Sequence, residues 1–153
     1  MRATTLIPWM ILFSTSCWAQ DMFGTWKMNP VRSQFSDDNH HPRAVTVRIE
    51  PHEKGEVFTY DRITSNGQAE TISTVLYFDG KERNYQRGEC SGTKASRRLD
   101  KRTVEIVTKC DGRFWARFTL RLPPQPNELI LDISEIRLSD GRRFDRHLVL
   151  EKQ

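Results

Sequence analysis

The chain has 153 residues and a formal net charge of +4, the length of one domain around a single core. A hydrophobic fraction of 37% beside 29% charged residues excludes a multi-span membrane protein. Four Trp, eight Phe and three Tyr supply more apolar surface than a disordered chain carries.

The first element reads as an export signal. Arg2 precedes the apolar stretch Leu6–Phe13, and Cys17 and Ala19 hold the small-residue places of a cleavage site. The expectation is a leader over 1–19 and a mature domain over 20–153, bound for the periplasm or the exterior. The stretch is shorter than the ~20 residues that span a bilayer, and no second apolar run follows, so no transmembrane anchor is expected. A rival reading makes Ser14-Thr15-Ser16-Cys17 a lipid-attachment site with Cys17 acylated. Position 14 lacks the Leu such sites usually carry, which favours plain cleavage.

In the mature chain, strands are expected near 24–29, 44–50, 56–64, 70–78, 81–86, 93–99, 103–110, 113–122, 128–138 and 142–151. The signal is period two. Val45, Val47 and Ile49 alternate with Thr46, Arg48 and Glu50, and Phe114, Ala116, Phe118, Leu120 and Leu122 alternate with Trp115, Arg117, Thr119 and Arg121. Asn66-Gly67, Asp79-Gly80, Asp111-Gly112 and Asp140-Gly141 mark tight turns between them. One helical turn is expected over Pro30–Phe35, with Asn29 as its N-cap. Without crossover helices the sheet has to be antiparallel. The fold class is all-β, an up-and-down meander closed into a barrel of about eight to ten strands, since closure removes exposed edges.

An oxidising compartment makes Cys90 and Cys110 candidates for a disulfide, with two buried free thiols as the alternative. No C-x-x-C pair offers a metal site. The cluster Asp37-Asp38-Asn39-His40-His41 carries metal-ligand chemistry, but adjacent His side chains on extended backbone face opposite ways, so a solvated loop is expected and no metal. No G-x-S-x-G, phosphate loop or H-E-x-x-H occurs, so neither catalytic residues nor a cofactor are expected.

The opening Phe23-Gly24-Thr25-Trp26-Lys27-Met28-Asn29 and the closing Leu148-Val149-Leu150-Glu151-Lys152-Gln153 resemble the two ends of lipocalins and fatty-acid-binding proteins, the calycin β-barrels. Small exported bacterial lipocalin-like proteins are similar over most of the chain. The resemblance implies a barrel that holds a ligand inside. It also implies a barrel-closing pair in which Arg146, from the last strand, lies across Trp26 of the first. Against the fatty-acid pattern, Leu148 and Leu150 stand where an Arg and a Tyr hold the carboxylate, and Pro30–Pro42 is too short for paired lid helices.

Two functions follow. In the first, Phe58, Tyr60, Ile72, Leu76, Phe118, Phe144 and Arg146 line an interior that takes a small apolar or amphipathic ligand. An enclosed space of roughly 300 Å³ or more marks that case, whereas a filled core marks the other. In the second, an envelope interaction protein without a cavity acts through the segment 81–102, where eight basic residues stand against three acids. Such a field attracts an anionic envelope component, and outward Trp115 would join the contact. Nucleic acid is excluded as a partner by export and by the lack of a recognition motif.

Overall fold

The computed structural model describes residues 21–37 and 41–153. The expected leader, Cys17 and positions 38–40 of the acidic–histidine cluster lie outside the described residues. Eleven strands form: Gly24–Met28 (β1), Gln34–Phe35 (β2), Ala44–His52 (β3), Gly55–Ile63 (β4), Ala69–Leu76 (β5), Arg83–Arg87 (β6), Cys90–Asp100 (β7), Thr103–Cys110 (β8), Phe114–Arg121 (β9), Glu128–Arg137 (β10) and Arg143–Lys152 (β11). They make one antiparallel sheet in the order β5-β4-β3-β1-β11-β10-β9-β8-β7-β6, with β2 added beside β11. Apart from the short β2 and the break between β5 and β6, strands consecutive in sequence lie side by side, and β1 joins the first half to the last by pairing with both β3 and β11. The up-and-down meander therefore curls around one core, as the alternation and the turn pairs predict.

The two ends of that order, β5 and β6, share no backbone ladder. Their seam is spanned by other means. Along its lower part the connection after β5 docks on β7: Phe78 N donates to Ser96 Oγ at 3.2 Å, Gly80 N to Ser96 O at 2.9 Å, and Asp79 pairs with Arg97. Phe78 takes a left-handed φ of 58°, rare for an aromatic residue, and packs its ring on the core beneath the Arg98 guanidinium. Higher up, Arg87 of β6 reaches Glu70 of β5 at 3.7 Å. Full closure by strand pairing is thus replaced at this one seam by a docked loop and side chains.

The expected turn after β1 forms but stops early. Asn29 Oδ1 accepts from Val31 N and Arg32 N, and Ser33 N donates to Asn29 O. Gln34 and Phe35 then leave the turn, because pairing with His147 and Arg146 on β11 satisfies their backbone better than one more helical residue could.

The lower barrel is filled. Trp26, Val47, Leu129, Leu131, Leu148 and Leu150 are all completely buried, and Trp26 Nε1 donates to Met22 O at 2.8 Å. The strand register corrects the expected closing pair. Trp26 stands opposite Lys152, whose Nζ lies 5.2 Å from the indole centroid. Arg146 sits six residues earlier on β11, opposite Ile133, and turns inward toward Glu135 at 3.7 Å. Trp26 is therefore covered by a cation, but by the lysine of the final strand.

Cys90 and Cys110 form a disulfide with Cα atoms 5.3 Å apart. Glycine makes this approach available. Gly92 stands opposite Cys110, and a Cβ there would lie 2.0 Å from the Lys109 carbonyl oxygen. Strand β7 also begins earlier than the alternation suggests, so Cys90 belongs to the strand itself, two residues from Gly92 and on its face.

Candidate functional site

Above the packed floor the barrel contains a cavity of about 180 Å³. Strand alternation brings its lining together from eight strands. Phe58, Tyr60 and Arg62 come from β4, Ile72 and Thr74 from β5, Tyr85 and Arg87 from β6, and Lys94 from β7. Ile106 and Thr108 of β8, Phe114, Ala116 and Phe118 of β9, Ile133 and Glu135 of β10, and Arg146 of β11 complete the wall. The space is smaller than the ~300 Å³ that typifies drug-sized ligand pockets. It is not a filled core either.

The walls are divided by chemistry. Phe58, Ile72, Ile106, Phe118 and Ile133 are apolar, whereas Arg62, Arg87, Lys94, Glu135 and Arg146 carry charge. Most of that charge is matched. Arg62 donates through Nε and Nη2 to Glu70 Oε2, at 2.9 and 2.6 Å, and Arg87 approaches the same carboxylate. Arg146 faces Glu135. Lys94 is different: among the described residues no carboxylate pairs with it, and its Nζ rests 3.9 Å from the centroid of the Tyr85 ring. Burial, reinforced by the like charge of Arg87, pulls its ammonium down to about 8 from an ordinary 10.5.

A second polar group is unmatched. Tyr60 is 2% exposed and its hydroxyl has no hydrogen-bond partner among the described residues. Burial raises the phenol's pKa, against the pull of Arg62 and Arg146. Buried polar groups are satisfied in the great majority of cases, and this hydroxyl is an exception whose own atom is closed off from solvent.

Of the residues singled out in the sequence, Phe58, Tyr60, Ile72, Phe118 and Arg146 line this cavity. Leu76 instead lies in the floor, 2% exposed within the core cluster. Phe144 stands outside, in a groove it shares with Arg62, Glu70, Glu135 and Arg146, with the Arg137 guanidinium 4.8 Å over its ring. Eleven further lining residues were not singled out, among them the charged Arg62, Arg87, Lys94 and Glu135. Their inward parity with Tyr60, Ile72, Tyr85 and Ile133 was readable, but charged residues at inward positions look like breaks in an apolar face.

The basic segment is less open than its composition suggests. Arg83 pairs with Asp79, Arg87 with Glu70, Arg97 with Glu105 and Arg98 with Glu56, while Lys94 points into the cavity. Trp115 is half-buried on the outer face, with the Arg117 guanidinium 5.2 Å from its ring. No group of three or more potential metal ligands occurs among the described residues, and no helix there is long and apolar enough to cross a membrane.

No family model and no curated protein matches the sequence. Solved structures do match the fold. Zebrafish ileal bile acid-binding protein in complex with cholic acid aligns over 86% of this chain and 98% of its own, at 11% identity and a TM-score of 0.49. As-p18, an extracellular fatty acid binding protein, aligns over 86% of this chain and 95% of its own, at 14% identity and a TM-score of 0.50. The second likeness is one of fold: a single antiparallel up-and-down meander curled around an interior, as in As-p18.

Proposed function

We propose that this chain is an exported binding protein, not an enzyme, that holds a small, partly apolar molecule in the upper half of its barrel. The observation that carries the reading is a cavity of about 180 Å³ that combines apolar walls with Lys94, a lining cation that no carboxylate among the described residues pairs. Binding sites of this kind pair a mostly apolar surface with a few polar groups that orient the ligand. As-p18, which shares the fold, is a fatty acid binding protein and extracellular. The Cys90–Cys110 disulfide fits the same oxidising surroundings, and the leader over 1–19 would deliver the domain to the periplasm or beyond.

The envelope-interaction reading draws less support, because four of the arginines in 81–102 are held in ion pairs. Native mass spectrometry of protein purified from its own host tests the first reading. The expected result is a co-purifying small molecule and an intact mass that begins at Gln20. A ligand-free protein that takes up no apolar probe in its interior would overturn it, and a mass beginning at an acylated Cys17 would overturn the cleavage site.

A further inference from the structure

The inference below rests on the cavity being a ligand site and names the class of ligand. We propose that the cavity takes a compact monoacid, a single-ring or short-chain carboxylate. Its acid group pairs with Lys94 while its body lies among Phe58, Ile72, Ile106 and Phe118.

Charge on the cavity wall comes first. Four cations face or border the space, Arg62, Arg87, Lys94 and Arg146. Glu70 serves both Arg62 and Arg87, and Glu135 serves Arg146. Nothing serves Lys94. The groups around it make matters worse for its charge: Arg83 stands opposite on β6, Arg87 lies beside it, and its β8 neighbour is the neutral Thr108. Tyr85 offers a π face but no charge, and Arg83 is itself taken by Asp79. A buried ammonium without a counter-ion is costly, and an anion supplied by a ligand removes that cost. The lowered pKa agrees, since a site complete in itself would not hold its lysine near 8.

Size then narrows the class. A space of about 180 Å³ is slightly larger than the ~150 Å³ cavity known to hold a benzene ring. Leu76, Leu131 and Trp26 are packed in the core cluster, so the cavity does not deepen past them and a long acyl chain does not fit whole within its volume.

The test uses the mature, disulfide-intact protein and three probes: phenylacetate, 2-phenylethanol and oleate. In calorimetric titrations the wild type should prefer phenylacetate over the alcohol at least tenfold. At pH 8 binding should draw up to about half a proton from the buffer, because an anion beside Lys94 raises its pKa again. Lys94→Met should abolish both the preference and the proton uptake, Lys94→Arg should retain the preference, and the exposed control Lys27→Met should change neither. Equal binding of acid and alcohol to the wild type overturns the acid assignment but leaves the cavity reading standing. A preference that survives Lys94→Met removes Lys94 as the anchor. Oleate binding more tightly than phenylacetate overturns the size limit. Failure of both small probes to bind overturns the cavity reading itself.

Discussion

Replacing Lys94 with Met should make the ligand-free protein more stable, against the usual direction for a substitution in an interior. The magnitude follows from the titration. Lys94 holds its proton up to about pH 8 in the fold but up to 10.5 in the unfolded chain, a gap worth roughly 3 kcal/mol at ~1.36 kcal/mol per pH unit. Between those limits the unfolded chain binds more protons than the folded one, so this lysine makes wild-type stability climb as pH rises through that window. Below pH 8 its penalty is fully present, and above 10.5 it is gone. Methionine keeps the apolar stem of the side chain while discarding the ammonium that lies over Tyr85. Urea denaturation followed by tryptophan fluorescence should therefore place Lys94→Met about 2–3 kcal/mol above the wild type at pH 7, with the difference shrinking toward zero by about pH 10.5. A variant less stable than the wild type at pH 7, or a gain that stays constant with pH, would refute the claim that Lys94 is buried without a counter-charge.

Three further substitutions probe the scaffold. Tyr60→Phe removes an unpartnered buried hydroxyl, so thermal or urea unfolding should show no loss and a gain of up to about 1 kcal/mol; a clear loss would mean the hydroxyl is satisfied in the empty protein. Replacing Cys90 and Cys110 together with Ser opens a crosslink with a sequence separation of 20, which should cost about 3 kcal/mol in the chain-entropy description. Two free thiols in the unfolded, unreduced wild type would contradict the bridge. Gly92→Ala puts a Cβ 2.0 Å from the Lys109 carbonyl and should cost about 1–3 kcal/mol or more, read as a lowered urea midpoint; an unchanged midpoint would show that β7 and β8 are not held this closely.

Much of the architecture was readable along the chain because strand character is local. Period-two alternation follows from backbone geometry, so Val45-Val47-Ile49 and the run from Phe114 to Leu122 announce their faces without any knowledge of their neighbours. The Asp-Gly turns are local in the same sense: Gly112 and Gly141 adopt φ values of 66° and 68°, which their side-chain-free backbone allows cheaply. Inward parity likewise identified Phe58, Tyr60, Ile72, Phe118 and Arg146. What lay beyond the sequence depends on register and curvature, which all the strands set together. Only the pairing of β1 with β11 brings Lys152, and not Arg146, over Trp26. Only the curl of the sheet decides that Leu76 belongs to the floor while Phe144 stays outside the cavity. The same holds for charge. Counting basic residues in 81–102 suggests a surface field, but Glu56 and Glu70 arrive from β4 and β5, and Glu105 from the adjoining β8, to pair with that segment's arginines. Lys94 is left as an inward cation without an acid, because its partners across the sheet are Arg83 and Thr108.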